Sequence, residues 1–144
     1  MTNREMAEGL FRLGEGRLEV LPAFLERGNF PTVIREAQEC VELVLKAALR
    51  YVGIEPARTH DVAPLLRAHD DRFPAWFKEH IERLAVISTD LADRRGLSFY
   101  GDEERGVPPD RLFSRADAEA AIEQARFVHR LCRRLLVGDS ALQG

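Results

Sequence analysis

Apolar positions recur every three to four residues along four stretches of the chain, the period of an amphipathic helix rather than the two-residue alternation of a strand. From about Arg4 to Arg27 the apolar set is Met6, Leu10, Leu13, Leu18, Leu21 and Leu25. Gly9, Gly14, Gly16 and Pro22 weaken that segment, so it predicts a helix that is kinked near Pro22 or begins late. Gly28 and Asn29 supply a left-handed stop, and Pro31 suits the first turn of the next helix.

That next helix, about Phe30 to Gly53, carries apolar residues from Ile34 to Val52 over about two-thirds of its circumference, which predicts burial on several sides. The narrow remaining stripe holds Arg35, Glu39, Glu42 and Lys46, spaced four, three and four residues apart. Alternating charges at this spacing read either as a solvated stripe of mild ion pairs or as a functional face.

Pro56 breaks the pattern, and Asp61 is a fair cap for a short apolar helix over Val62 to Leu66. A third long helix is expected after Pro74, with Phe77, Ile81, Leu84, Ile87 or Ser88, and Leu91 on one face and an end near Arg95-Gly96. Leu97 to Phe113, with Gly101, Gly106, Pro108 and Pro109, reads as a long loop of the kind that is often functional. Ser114 to Asp117 resembles a capping box and opens a last helix whose inward face is Ala118, Ala121, Ile122, Ala125, Val128, Cys132 and Leu135. The fold class is therefore all-α, with one domain over 1–137 and a frayed tail over 138–144.

Composition narrows the function classes. With 144 residues, 45% of them hydrophobic, the chain can bury a core without staples. No stretch approaches the roughly 20 uninterrupted apolar residues that span a bilayer, and no apolar segment follows a basic start as in a signal peptide, so a cytoplasmic protein is expected. Cys40 and Cys132 fall among apolar residues and read as buried thiols. A net charge of −3 argues against bulk nucleic-acid binding, although the predominance of arginine over lysine suits local phosphate recognition.

Ala37-Gln-Glu-Cys-Val-Glu42-Leu-Val-Leu-Lys46, then Gly53, then Thr59-His60-Asp61-Val with Leu65-Leu66, resemble the HEPN domain family. Tyr100-Gly-Asp102-Glu, Pro108-Pro109 and Asp117-Ala-Glu with Ala125-Arg126 are similar to the last third of small prokaryotic HEPN proteins. The resemblance implies an up-and-down bundle of four to five helices that commonly forms a homodimer. It also implies a frequent companion, a minimal nucleotidyltransferase, the two working in many cases as toxin and antitoxin. Members that cut RNA carry an arginine and, after four to six intervening residues, a histidine. Here the nearest form is Arg95 followed by Tyr100, or Arg94 followed by the same tyrosine.

That difference shapes the expected chemistry. Metal-independent RNA cleavage needs a group that exchanges protons near neutral pH and a cation for the phosphate. Tyrosine serves poorly as the first. The expectation is a non-enzymatic binding module that meets a nucleotidyltransferase, and a nucleotide or RNA, through Glu42, Lys46, His60, Asp61, Arg94, Arg95 and Tyr100. Arg94 and Arg95 would meet phosphate while Tyr100 stacks or accepts a modification. The alternative is a HEPN ribonuclease in which His60 and Arg95 are catalytic. His129, on the inward face of the last helix, reads as a core or interface histidine, and His69 and His80 as surface residues. Arg126, Arg130, Arg133 and Arg134 form a basic stripe that the helix dipole alone can explain. No metal-ligand spacing and no cofactor motif is found, so neither a metal nor a cofactor is expected.

Overall fold

The structure, a computed structural model, describes residues 2–138. Helix α1 (Asn3–Glu19) starts where Thr2 Oγ1 accepts the Glu5 N–H at 3.1 Å. It stops at Val20, and α2 (Leu21–Glu26) begins at once with Pro22 in its first turn. The expected kink is thus a break: a proline tolerated in a first turn starts a new helix more readily than it bends an old one. Gly28 then takes φ 72°, and α3 (Phe30–Tyr51) follows with Pro31 in its first turn.

Helix α3 is the spine of the fold and packs against α1, against α6 (Ile81–Tyr100) and against α8 (Arg115–Val137). Ala37, Cys40, Val41, Val44, Ala47 and Ala48 are buried along it. Gly14 is the point of closest approach to α1. A Cβ there would lie 2.6 Å from Val44 Cγ1 and 3.2 Å from the Cys40 carbonyl. Burial, with a smaller push from Glu15, raises the Cys40 thiol to about 12, and burial likewise raises Cys132, so these free cysteines are structural.

Three short elements join the long ones: α4 (Ala63–Ala68), a 3₁₀ turn (Asp70–Arg72) and α5 (Ala75–Lys78). The helix expected to run on from Pro74 is interrupted at Glu79 and His80. Phe77 is buried against Phe73, ring centroids 4.6 Å apart, and the chain restarts as α6. At its other end α6 passes Gly96, where the sequence suggested a stop, and continues to Tyr100. Ser98 explains this: it is buried, and its carbonyl accepts from Arg35 Nη2 at 3.0 Å, which offsets the roughly 1 kcal/mol that a mid-helix glycine costs.

The true stop is Gly101, at φ 74°, where any Cβ would fall 2.3 Å from the Val107 carbonyl. The expected long loop shrinks accordingly. Asp102 and Val107 exchange backbone hydrogen bonds at 2.8 and 2.9 Å to close a tight turn, and α7 (Pro109–Leu112) takes up most of the remainder. Ser114 and Asp117 form the predicted capping box, and all seven residues expected to face inward on α8 are buried. Gly138 closes α8 at φ 85°, its N–H donating to the Arg134 carbonyl, and the rest of the expected frayed tail, 139–144, lies outside the described residues.

The charged stripe of α3 is not solvated. Arg35, Glu39, Glu42 and Lys46 are half-buried beneath α6 and the connection from α3 to α4.

Candidate functional site

The site is assembled where that connection crosses α3 beside the second half of α6. Asp61 fixes the crossing. Its Oδ1 accepts from the Ala63 N–H and from Ser88 Oγ, both at 3.0 Å, and its Oδ2 accepts from Thr89 Oγ1 at 2.8 Å. The Val62 N–H donates to Ser88 Oγ at 3.0 Å. The N-cap position of α4 is Val62, one residue later than expected and without a side-chain cap, so Asp61 serves the helix from just outside it: it accepts from the first N–H and pins the helix to α6, which sets its neighbour His60 over α3.

His60 Nδ1 lies 2.8 Å from Glu42 Oε1. The same oxygen accepts Gln38 Nε2 at 2.9 Å, and Glu42 Oε2 accepts Lys46 Nζ at 2.9 Å. Burial works to raise the Glu42 carboxyl, but the hydrogen bonds from Lys46, Gln38 and His60 outweigh it and hold the group below its ordinary value. On the far side of Gln38, its Oε1 accepts from Arg95 Nη1, and the same guanidinium is paired with Glu39. One hydrogen-bonded chain thus runs from His60 through Glu42 and Gln38 to Arg95.

Above it lies a groove of about 380 Å³ lined by His60, Ala92, Arg95, Gly96, Phe99 and Tyr100. Tyr100 stands on its rim, 72% exposed. The Phe99 ring is held by Arg35, whose guanidinium carbon is 3.9 Å from the ring centroid, with Arg95 at 5.2 Å. Beyond Tyr100 a second hollow is bordered by Asp93, Asp102, Glu103 and Glu104, so the tyrosine separates a basic flank from an acidic one.

Of the residues singled out from the sequence, His60, Arg95 and Tyr100 meet at the groove, with Glu42 beneath His60. Lys46 sits lower, tied to Glu42. Arg94 is not brought to the groove: it pairs with Asp90 at 3.4 Å, and its charge adds a smaller pull to the Ser114 hydrogen bonds that hold the Asp117 carboxyl down at the start of α8. Gln38 and Phe99 went unremarked in the sequence. A lone amide between Ala37 and Cys40 on a buried arc was the available signal for the first.

The family model of the HEPN domain matches residues 7–135. This chain belongs to the HEPN domain family. Neither curated proteins nor solved structures give a match. The HEPN match takes in most of α1 and nearly all of α8, so the His60 groove lies wholly within it. Tyr100 follows Arg95 on the same helix, and His60 comes to line the same groove from the α3–α4 connection.

The remaining candidates are engaged elsewhere. His129 Nε2 bonds Glu15 Oε2 at 2.7 Å and its part-buried ring stacks on Phe11, tying α8 to α1. His80 is half-buried, edge-on to Phe127. Along the basic stripe, Arg126 pairs with Glu123, Arg133 approaches Glu15, and Arg134 lies over Trp76. Among the described residues no cluster of His, Cys, Asp and Glu could hold a metal ion, and no helix is long and apolar enough to cross a membrane.

Proposed function

We propose that this HEPN protein is a recognition module: a homodimer that acts in the cytoplasm, pairs with a minimal nucleotidyltransferase and offers the groove between His60 and Tyr100 to a nucleotide or RNA. The reading rests on one observation above all. An aromatic ring that is largely exposed stands beside an arginine in the groove, and this is the pairing that stacks a base and holds its phosphate. The Tyr100 hydroxyl is free to meet the partner's active site, so it is also the position on which a nucleotidyl group would be placed. In a toxin and antitoxin pair, occupation of this groove is the step that the partner controls.

The test is a tagged purification from native cells with mass spectrometry of co-purifying proteins and of the intact chain. A co-purifying nucleotidyltransferase, or a nucleotidyl adduct on Tyr100, supports the reading; a chain that comes alone, unmodified and without affinity for short RNA removes it.

The short His60–Glu42 hydrogen bond favours a second reading, a metal-independent ribonuclease. A carboxylate behind an imidazole orients it as a general base, and Arg95 supplies the cation. RNA cleavage by the purified chain that disappears in His60→Ala would select this reading over the first.

A further inference from the structure

Gln38 is 2% exposed, lies on the buried arc of α3, and touches both charged halves of the site. A buried amide has an accepting end and a donating end, and its neighbours decide which way it turns. Arg95 has only donors, so the end it meets is the carbonyl oxygen. The amide nitrogen is thereby turned to Glu42 Oε1, 2.9 Å away. Glu42 also takes Lys46 Nζ on its other oxygen, and its carboxyl is held below the usual value, so it is an anion that only accepts. The His60 nitrogen that meets it at 2.8 Å must then carry a hydrogen, and a neutral imidazole has only one.

We propose that Gln38 is the positioning residue of the groove: by keeping Arg95 and Glu42 one amide apart, it fixes the neutral His60 ring with its proton on Nδ1 and its Nε2 lone pair free for a ligand. The spacing matters because Arg95 and Glu42 carry opposite charges at the two ends of the same amide. Without it, the amide that stands between the guanidinium and Glu42 is gone, and a charge-assisted pair between them would be stronger than the bond from Glu42 to a neutral imidazole. His60 would lose its acceptor and, with it, the tautomer. Among the described residues nothing hydrogen-bonds Nε2, so it is the atom left to accept the proton of an incoming hydroxyl or N–H. The value of that to a ligand rests on the groove being the recognition site; the tautomer itself does not.

The experiment is long-range ¹H–¹⁵N NMR on the full chain labelled at histidine, without ligand, at about pH 9, where ordinary imidazoles are neutral. His60 is assigned by the signals lost in His60→Gln. In the wild type His60 should show a protonated Nδ1 and a bare Nε2. In Gln38→Met, which is similar in length and apolar, it should pass to the Nε2–H form that free imidazoles of histidine prefer in water, while His129 keeps its signals as an internal check on the fold. A wild-type His60 found as Nε2–H overturns the proposal without need of any variant, as does a folded Gln38→Met that retains Nδ1–H. Binding assays fail or succeed independently of this result: lost RNA and partner binding with the Nδ1–H form intact strikes the recognition reading alone.

Discussion

Nδ1 of His60 stands 2.8 Å from Oε1 of Glu42, eighteen residues away in the chain, and this hydrogen bond ties the α3–α4 connection to the charged stripe of α3. Glu42 is therefore both a site residue and part of the scaffold. Its carboxyl is held below the ordinary 4.5 despite burial, by hydrogen bonds from Lys46, Gln38 and His60. A carboxylate with a depressed folded-state value contributes stability that is complete above the unfolded value and is lost as pH falls through the folded one. Melting temperatures measured from about pH 7 to about pH 3 should fall below about pH 4.5. Glu42→Gln should melt lower at neutral pH and show a shallower acid limb; parallel curves would mean that Glu42 is not linked to folding.

Asp61 anchors α4 with three hydrogen bonds, one to its first turn and two to α6. Asp61→Ala removes the acceptor of the Ala63 N–H and leaves the buried Ser88 hydroxyl without its acceptor, a loss of about 2 kcal/mol by chemical denaturation. Thr89→Ala, which removes a single bond on a half-exposed side chain, should cost less, about 1 kcal/mol. Equal costs for the two would show that the bonds from the Ala63 N–H and Ser88 contribute nothing.

Two glycines of α1 should respond in opposite directions. Gly14→Ala drives a methyl group into Val44 Cγ1 and the Cys40 carbonyl, so α1 must shift from α3, at a cost of about 1–3 kcal/mol. Gly16→Ala meets nothing within 4 Å and replaces a poor helix former by the best, a gain of up to about 1 kcal/mol. Thermal melts of the two variants decide the matter, and a stabilised Gly14→Ala would contradict the close approach described for this pair.

The contrast between those glycines was invisible in the sequence, where Gly9, Gly14 and Gly16 all simply weaken a helix. What the sequence reveals well is periodic: the buried face of α8 and its Ser114–Asp117 box depend on residues close together in the chain. What it hides is set by distant contacts. Gly96 reads as a helix end until Arg35, sixty-three residues from Ser98, is seen to bond the Ser98 carbonyl. The site divides in the same way. His60, Arg95 and Tyr100 stand out by residue type, and the stripe of α3 by its spacing. Arg94 is adjacent to Arg95 in the chain but about 100° around the helix, which takes it to Asp90 and away from the groove. Gln38 is neutral and sits among apolar residues, so only the positions of Arg95 and Glu42 reveal what its amide joins.

Tyr100 and Arg95 line one groove but differ in what else they hold. Tyr100 is 72% exposed and, among the described residues, no hydrogen bond fixes it, so Tyr100→Ala should change stability by no more than about 0.5 kcal/mol. If its ring stacks on a base, the same change weakens RNA or nucleotide binding by about 1–3 kcal/mol, roughly 5- to 150-fold in affinity. Arg95 also satisfies Glu39 and the buried Gln38 carbonyl, so Arg95→Ala should reduce binding and stability together. Fluorescence titration of a short labelled RNA, run beside thermal melts of both variants, separates the two effects. A Tyr100→Ala protein that binds as tightly as the wild type would take the aromatic ring out of recognition and leave Arg95 as the groove's only argument for a phosphate-bearing ligand.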